Sequence, residues 1–345
     1  MDLGNKNLEE WLKNVEPNMF PQGKIEDHYT HYKKLKEHLK PIHEEVVHGA
    51  NLKDPEMFLN DHGEKHIETV ISRASYLVAT DDCNLTPYEV YLLLCCIQIH
   101  DIGNIFGRYN HEKNSVEIMK EARAICGRDT IEAMTIRSIA EAHGGKLENG
   151  NKDKISSLSK VVDTMYGDIR PRLLASILRF ADELADDKTR ASSTLLRTGK
   201  IPKKSEVFHA YAHCLQSVKF EHSDAQIKVT FSVPDIFLSR KFGKLDEEVF
   251  LMDEIYERLM KMYYEKRYCM RFMKKNIDID RIRVHIQFYS EEEICEIHDK
   301  LVFDIRDRGY PSDTSSIYIL CPELSRNNSR LDGEYFNSLS IKQNN

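Results

Sequence analysis

No stretch of the 345-residue sequence reaches the roughly 18 uninterrupted apolar residues of a membrane-spanning helix, so no membrane association is expected. The N-terminal MDLGNKNLEEWLKN lacks the basic flank and apolar core of a secretory signal, which points to the cytoplasm. There is no CxxC pair. The eight cysteines are scattered, several within apolar runs that suit a small buried thiol, which indicates neither a disulfide framework nor a zinc ribbon. Basic residues are not in excess. A net charge of −7 argues against a protein built to coat nucleic acid, makes such a partner unexpected, and leaves only a local basic pocket open. No internal repeat is present.

The apolar and charged fractions, 41% and 30%, are those of a globular chain, and the length suits two domains or one large domain with an appendage. Residues 26–50, 64–80, 87–101 and 114–125 carry apolar residues at helical spacing. Thr86-Pro87 supplies an N-cap and a first-turn proline for YEVYLLLCCIQIHD, and Gly103 reads as a left-handed stop. Further helices are expected over 129–143, closed by Gly144-Gly145, and over 171–186, opened by Pro171. Of the 15 histidines, His28, His31, His38, His43, His48 and His62 crowd one polar segment and read mostly as solvated. After residue 200, CLQSVKFEH and QIKVTFSV alternate as strands, a helix follows over 246–274, and RIRVHIQFY alternates again. The expectation is a mainly α chain: a helical bundle over 1–200, a small α+β domain over 201–310, and a poorly packed tail over 311–345.

Three segments carry candidate chemistry. IQIHDIGN ends an apolar helix on His100 and Asp101, whose side chains project about 100° apart, close to the angle between neighbouring ligands of an octahedral ion. Alone, the pair could equally be an exposed helix terminus. In DHGEKHIETVISRASYLV, His66 borders the buried face of Ile67, Val70, Ile71 and Ala74, so it is packed or ligating. In PRLLASILRFADELADDKTR, Asp182 lies on the apolar stripe, and a carboxylate there needs a cation, either a metal or Arg179 three residues back.

This H…HD…D set, carried by HGEKHIETV, IHDIGN and LRFADELADDKTR, resembles the HD-domain superfamily of metal-dependent phosphohydrolases over about residues 50–195. The resemblance implies an HD-type helical bundle in which His66, His100, Asp101 and Asp182 hold one divalent ion. It also implies hydrolysis of a phosphoester or phosphoanhydride in a small phosphorylated molecule, in the first instance a nucleotide. Mixed imidazole and carboxylate donors suit Mn, Fe, Co or Ni better than Mg. His111 and His143 match places where several HD subfamilies hold a second ion bridged by Asp101, or contact phosphate, or protonate a leaving group. His62, Arg108, Lys113, Arg179 and Arg190 are weaker candidates for substrate contacts. LRFADELADD resembles the matching segment of HD proteins found beside bacterial signalling and defence modules, but it has Ala185 where those often have aspartate.

Three other motifs are set aside. Glu64 of HGEKH has the wrong offset for a zinc protease, RGYP at 308–311 follows Asp182 instead of preceding it as in the HD-GYP phosphodiesterases, and the C-terminal strands lack the glycine-aromatic signature of an RNA-binding sheet. The competing reading is a non-catalytic nucleotide sensor or scaffold that assembles with partner proteins. Homo-oligomerisation is left open.

Overall fold

The computed structural model describes residues 2–4, 6–20, 27–52, 58, 63–106, 111–122, 127, 129–290, 295–309, 315–326 and 329–343. The chain divides into two compact units, one of Met1–Pro55, Asp61–Ala185 and Tyr268–Asp278, the other of Glu56–Asn60, Asp186–Arg267 and Ile279–Asn345. Mainly α architecture with a smaller α+β part is what the sequence led us to expect.

The first unit contains helices α1 (Leu8–Lys13), α2 (His28–Leu52), α3 (Glu64–Val78), α4 (Pro87–Ile99), α5 (His111–Ala122), α6 (Thr130–Glu141) and α7 (Pro171–Glu183), with a hairpin of β1 (Val162–Thr164) and β2 (Gly167–Ile169) before α7. Helix α4 is its axis. Every residue from Tyr88 to Ile99 is buried, as expected of a helix apolar on all sides, and α1, α2, α3, α6 and α7 pack around it. By length and composition Pro87–Phe106 could cross a membrane, and 89% of that window is buried inside the protein.

The polar groups on α4 are met from its neighbours. Thr86 Oγ1 accepts from the Glu89 amide at 3.1 Å and Glu89 Oε2 accepts from the Thr86 amide at 3.1 Å, closing a capping box. Glu89 also takes Arg170 Nε at 2.8 Å and Nη2 at 2.6 Å. Tyr88 Oη donates to Glu132 Oε2 at 2.7 Å, and Tyr91 Oη lies 3.0 Å from Glu132 Oε1 and 2.8 Å from His31 Nδ1. The expectation of solvated histidines in α2 is therefore corrected for His28, His31 and His43, which are buried. They lie on the apolar stripe of Tyr32, Leu35, Leu39 and Val46, where His31 and His43 hydrogen-bond to Tyr91 and the Gln98 carbonyl and the His28 ring lies edge-on to Tyr91.

The second unit begins with α8 (Ser193–Arg197) and α9 (Glu206–Cys214), followed by β3 (Leu215–Glu221), β4 (Gln226–Pro234), the short α10 (Asp235–Leu238), and a hairpin of β5 (Lys241–Lys244) and β6 (Glu247–Phe250). Helix α11 (Leu251–Met273) leads to β7 (Arg281–Ser290) and β8 (Cys295–Arg306), with α12 (Ile317–Leu320), the two-residue strands β9 (Ser325–Arg326) and β10 (Ser329–Arg330), and α13 (Gly333–Gln343) at the end. The sheet order is β3-β4-β7-β8. Pairing is antiparallel for β3/β4 and β7/β8 and parallel for β4/β7, which needs the long intervening crossover. Strand β8 was not expected, because charged residues interrupt its pattern, yet Leu301, Phe303 and Ile305 alternate into the core.

The division falls at Ala185–Asp186, before the change in sequence character near residue 200, because the helical segment α9 packs on β3 and β4. The poorly packed tail is corrected where it is described. Leu320, Cys321, Leu324, Leu331 and Phe336 are buried, Phe336 lies 4.9 Å from the Phe288 ring, and Tyr256 Oη donates to the Leu331 carbonyl at 2.8 Å. Its short apolar residues are separated by turns, so no periodic pattern announced them.

Two predictions follow from this packing. Replacing Glu89 by alanine removes the capping box and the ion pair to Arg170, whose guanidinium keeps, among the described residues, only its hydrogen bonds to Asn84. Because Arg170 is itself 31% exposed, the expected loss is about 2–3 kcal/mol, below the full cost of breaking a buried pair, measured by urea denaturation.

His209 accepts from the Ser192 amide through Nδ1 at 3.3 Å and donates through Nε2 to the Phe58 carbonyl at 2.8 Å, an arrangement that only the neutral ring can make. Burial, despite the Phe58 bond, lowers its pKa below the ordinary histidine value. A group with a folded pKa below its unfolded value contributes stability above the unfolded value, near 6.5, and loses it as the pH falls through the folded value. Unfolding free energy should therefore decline as the pH is lowered from 7 to 5, and His209→Gln should flatten that slope.

Candidate metal centre

The C-terminal ends of three helices supply much of the site. Past Ile99 the chain turns through His100, the C-cap of α4, into the 3-10 turn Ile102–Phe106. His43 Nε2 donates to the Gln98 carbonyl at 2.8 Å, which satisfies one of the orphan carbonyls of α4. His100 Nδ1 donates to the Ile97 carbonyl at 2.8 Å, which turns Nε2 the other way. His143 follows the C-cap of α6 and repeats the device, with Nδ1 donating to the Ala140 carbonyl at 2.6 Å. Asp182 sits in the last turn of α7. From α3, which carries His66 near its start, Arg73 Nε reaches the Leu184 carbonyl at the end of α7 at 3.0 Å and joins the two helices.

Gly103 explains the turn. It does not take the left-handed conformation expected from sequence, because it is absent from the positive-φ residues, and its role is close approach: a Cβ there would fall 1.9 Å from the His111 carbonyl oxygen. That contact brings the start of α5, and His111 with it, to Asp101. Gly145 has φ +71°, as the helix-closing glycine pair suggested, and a Cβ there would fall on Glu112.

His66 Nε2 lies 3.1 Å from Asp182 Oδ1 and 3.4 Å from Asp101 Oδ2. His100 Nε2 lies 3.6 Å from Asp182 Oδ1 and 3.7 Å from Asp101 Oδ2. The other oxygen of Asp101 faces a different pair, with Oδ1 3.3 Å from His111 Nε2 and 3.7 Å from His143 Nε2, and those two nitrogens 3.2 Å apart. Within each of the two groups, His66-His100-Asp101-Asp182 and Asp101-His111-His143, the donor atoms lie within 4.8 Å of one another.

The donors fit a cation. His100 Nε2 is buried and has no hydrogen-bond partner among the described residues. Two carboxylates sit at the negative ends of helices α4 and α7, where the macrodipole opposes them and favours positive charge. The protein's own protons respond accordingly. Burial disfavours a charged His100, but Asp101 and Asp182 outweigh it and raise its pKa to about 9. Burial likewise pushes Asp182 up, and the His100 and His66 rings outweigh it, holding the carboxyl well below the usual range. His143 moves the other way, since burial outweighs its bond to Asp101 and lowers its pKa.

Arg179 lies over the Tyr268 ring, 4.6 Å from its centroid, and the groups close to Asp182 Oδ1 are His66 and His100. Arg190 belongs to the second unit, where it pairs with Asp186. His62, Arg108 and the Lys113 side chain lie outside the described residues. Sequence reasoning passed over His43, Glu112 and Asn104. Glu112 is buried with Oε2 3.6 Å from His111 Nδ1, and Asn104 is fully buried with neither side-chain amide atom hydrogen-bonded among the described residues. His43 was legible, because it falls on the stripe of Leu35 and Leu39; Glu112 and Asn104 had no signal beyond nearness to the motif.

A search of curated proteins finds no match. Among protein-family models, HD-CE matches residues 52–259, more than half of the chain and a span that includes all six clustered residues. The protein belongs to the HD-CE family.

Proposed function

We propose that this protein is a divalent-metal-dependent phosphohydrolase acting on a nucleotide or another small phosphorylated molecule. The observation that supports it most is Asp101, whose two oxygens face two separate donor groups, so that one carboxylate could serve both. In this reading His66, His100, Asp101 and Asp182 would hold one ion, and Asp101, His111 and His143 would hold a second. Such ions polarise phosphoryl oxygens and make a hydroxide nucleophile available near neutral pH.

The chain's own residues do the positioning. The backbone carbonyls of Ile97 and Ala140 orient the His100 and His143 rings so that their Nε2 atoms point into the cluster, the arrangement by which outer partners set a ligand's tautomer. Asp101, buried under the cluster, cannot swing out to solvent. His111 is the more accessible of the second pair, at 16% exposed, and is therefore the group a substrate phosphate would meet. A non-catalytic sensor would have no use for a buried carboxylate shared between two donor groups. Imidazole in both groups favours Mn, Fe, Co or Ni over Mg.

Metal content and turnover test this. Elemental analysis of the purified chain, loaded with Mn or Co, should find about two ions per chain, and Asp101→Asn should abolish tight binding while helical circular dichroism is retained. Absence of any bound metal would remove the reading. A phosphate-release and chromatographic screen over nucleoside triphosphates, cyclic nucleotides and dinucleotides should reveal a substrate.

His111→Ala and His143→Ala separate the two roles open to those side chains. If they hold an ion, the stoichiometry drops to about one and turnover collapses. If one is a general acid, the metal count stays and turnover falls by about 100- to 10,000-fold.

A further inference from the structure

The four-stranded sheet has two unlike faces. Ile227, Val229, Phe231 and Val233 on β4 and Ile282, Val284, Ile286 and Phe288 on β7 are buried on one side. The residues between them point the other way: Lys228, Thr230 and Ser232 on β4, and Arg283, His285 and Gln287 on β7.

The register sets Lys219 of β3 opposite Lys228 of β4, and Lys228 beside Arg283 of β7. Three positive charges thus stand in a row across three adjacent strands, with about 4.8 Å between neighbouring strands. Arg281 flanks the row on β7, opposite Arg306 of β8. Two acids share this face: Asp304, 3.7 Å from Arg283 and 3.9 Å from Arg281, and Glu221 of β3, which accepts a hydrogen bond from Gln226. Lys219 is exposed, Lys228 and Arg283 are half-exposed, and neither lysine has an ion-pair partner among the described residues.

Like charges directly opposite each other weaken a sheet, so stability of the fold gives no reason for this row. His285, next along β7, feels the same field: burial and then Lys228, Arg283 and Lys300 lower its pKa, against a smaller opposing pull from Glu221. The chain as a whole is acidic, at −7, which makes a concentrated positive face a local feature and not a reflection of composition.

We propose that this sheet face binds nucleic acid through its phosphate backbone, without reading sequence. Lysine, arginine and hydroxyl groups are the side chains that contact phosphate oxygens, and Ser217 and Thr230, paired opposite each other, supply the hydroxyls beside the row. A protein partner would call for large apolar or aromatic anchors at the centre of the patch, and the row has none. The strands also lack the glycine-aromatic signature that stacks bases, so the contact is to phosphates. The polyanion is recognised by charge and spacing, and the metal-dependent reaction proposed above is not required for it.

The test uses the full chain and a fluorescently labelled 20-nucleotide single strand of mixed sequence, with anisotropy titrations from about 50 to 200 mM salt. Binding should weaken steeply with salt. The triple variant Lys219→Gln, Lys228→Gln, Arg283→Gln should bind at least about tenfold more weakly at the lowest salt, and the slope of log K against log salt should shrink by about 2, near 0.7 per lost phosphate contact on a single strand. Its melting temperature should hold or rise, because repulsion is relieved. Lys219→Gln alone, at an exposed position, should lower the slope by about 0.7 even if the triple variant folds poorly. A control triple at exposed positions of the other unit, Lys13→Gln, Lys152→Gln, Lys160→Gln, should bind as the unaltered chain does. No binding, equal binding by the triple variant, or competition by poly-glutamate as strong as that by nucleic acid of equal charge would overturn the proposal, the last in favour of an acidic polypeptide.

Discussion

Two carboxylates drawn to the negative ends of buried helices are the constraint around which the first unit is arranged. Asp101 follows α4 and Asp182 closes α7, and both places are ones where the helix dipole raises the cost of negative charge. Burial of an uncompensated carboxylate costs several kcal/mol, so the unit must bring positive charge or its equivalent to this point. Imidazoles meet the need in two ways, by holding a proton between the carboxylates or by offering a lone pair to a cation that replaces it. The rise of His100 to about 9 and the fall of Asp182 express the first; the donor geometry allows the second.

The packing of α4 follows from that requirement. A helix that ends on a charged cluster can be held in place only by its sides, and α4 is buried throughout, with its polar residues answered by Glu132, Arg170, Tyr32 and His43 from neighbouring segments. Those bonds set the axial position of α4 and therefore the position of His100 and Asp101. Gly103 then allows α5 to approach within a distance that no other residue would permit, so His111 meets Asp101 from the opposite side to His66. The second donor group depends on a missing side chain as much as on the histidines themselves.

How much of this was legible in the sequence depended on whether the signal was periodic. His66 and Asp182 stood out because a polar group on or beside an apolar stripe is costly without a partner, and the His100-Asp101 pair because it ends an apolar helix, while their reading as one ligand set came from the family resemblance. His111 and His143 came from family resemblance, and only tertiary structure shows that their Nε2 atoms face the same oxygen of Asp101. Gly103 was misread because a glycine after a helix suggests a left-handed cap, whereas close approach of a distant backbone leaves no trace in the local sequence. The buried histidines of α2 were misread for the opposite reason: they did fall on the apolar stripe, but a polar segment made them look solvated. Strand β8 and the packed tail escaped notice because charges and turns broke their alternation.

Net charge does not describe the surface that any one partner meets, for a physical reason. Electrostatic recognition works over roughly a Debye length, about 8 Å at physiological ionic strength, so what a partner meets is the charge of one face, not of the chain. The acidic total is spread over helices, caps and ion pairs, while strand pairing gathers Lys219, Lys228 and Arg283 into one line. Alternation supplies this concentration: each strand sends its apolar residues to the core, and register aligns Lys219, Lys228 and Arg283 among the outward ones. A chain can therefore be acidic overall and still present a basic strip wherever its outward-facing strand positions share a sign.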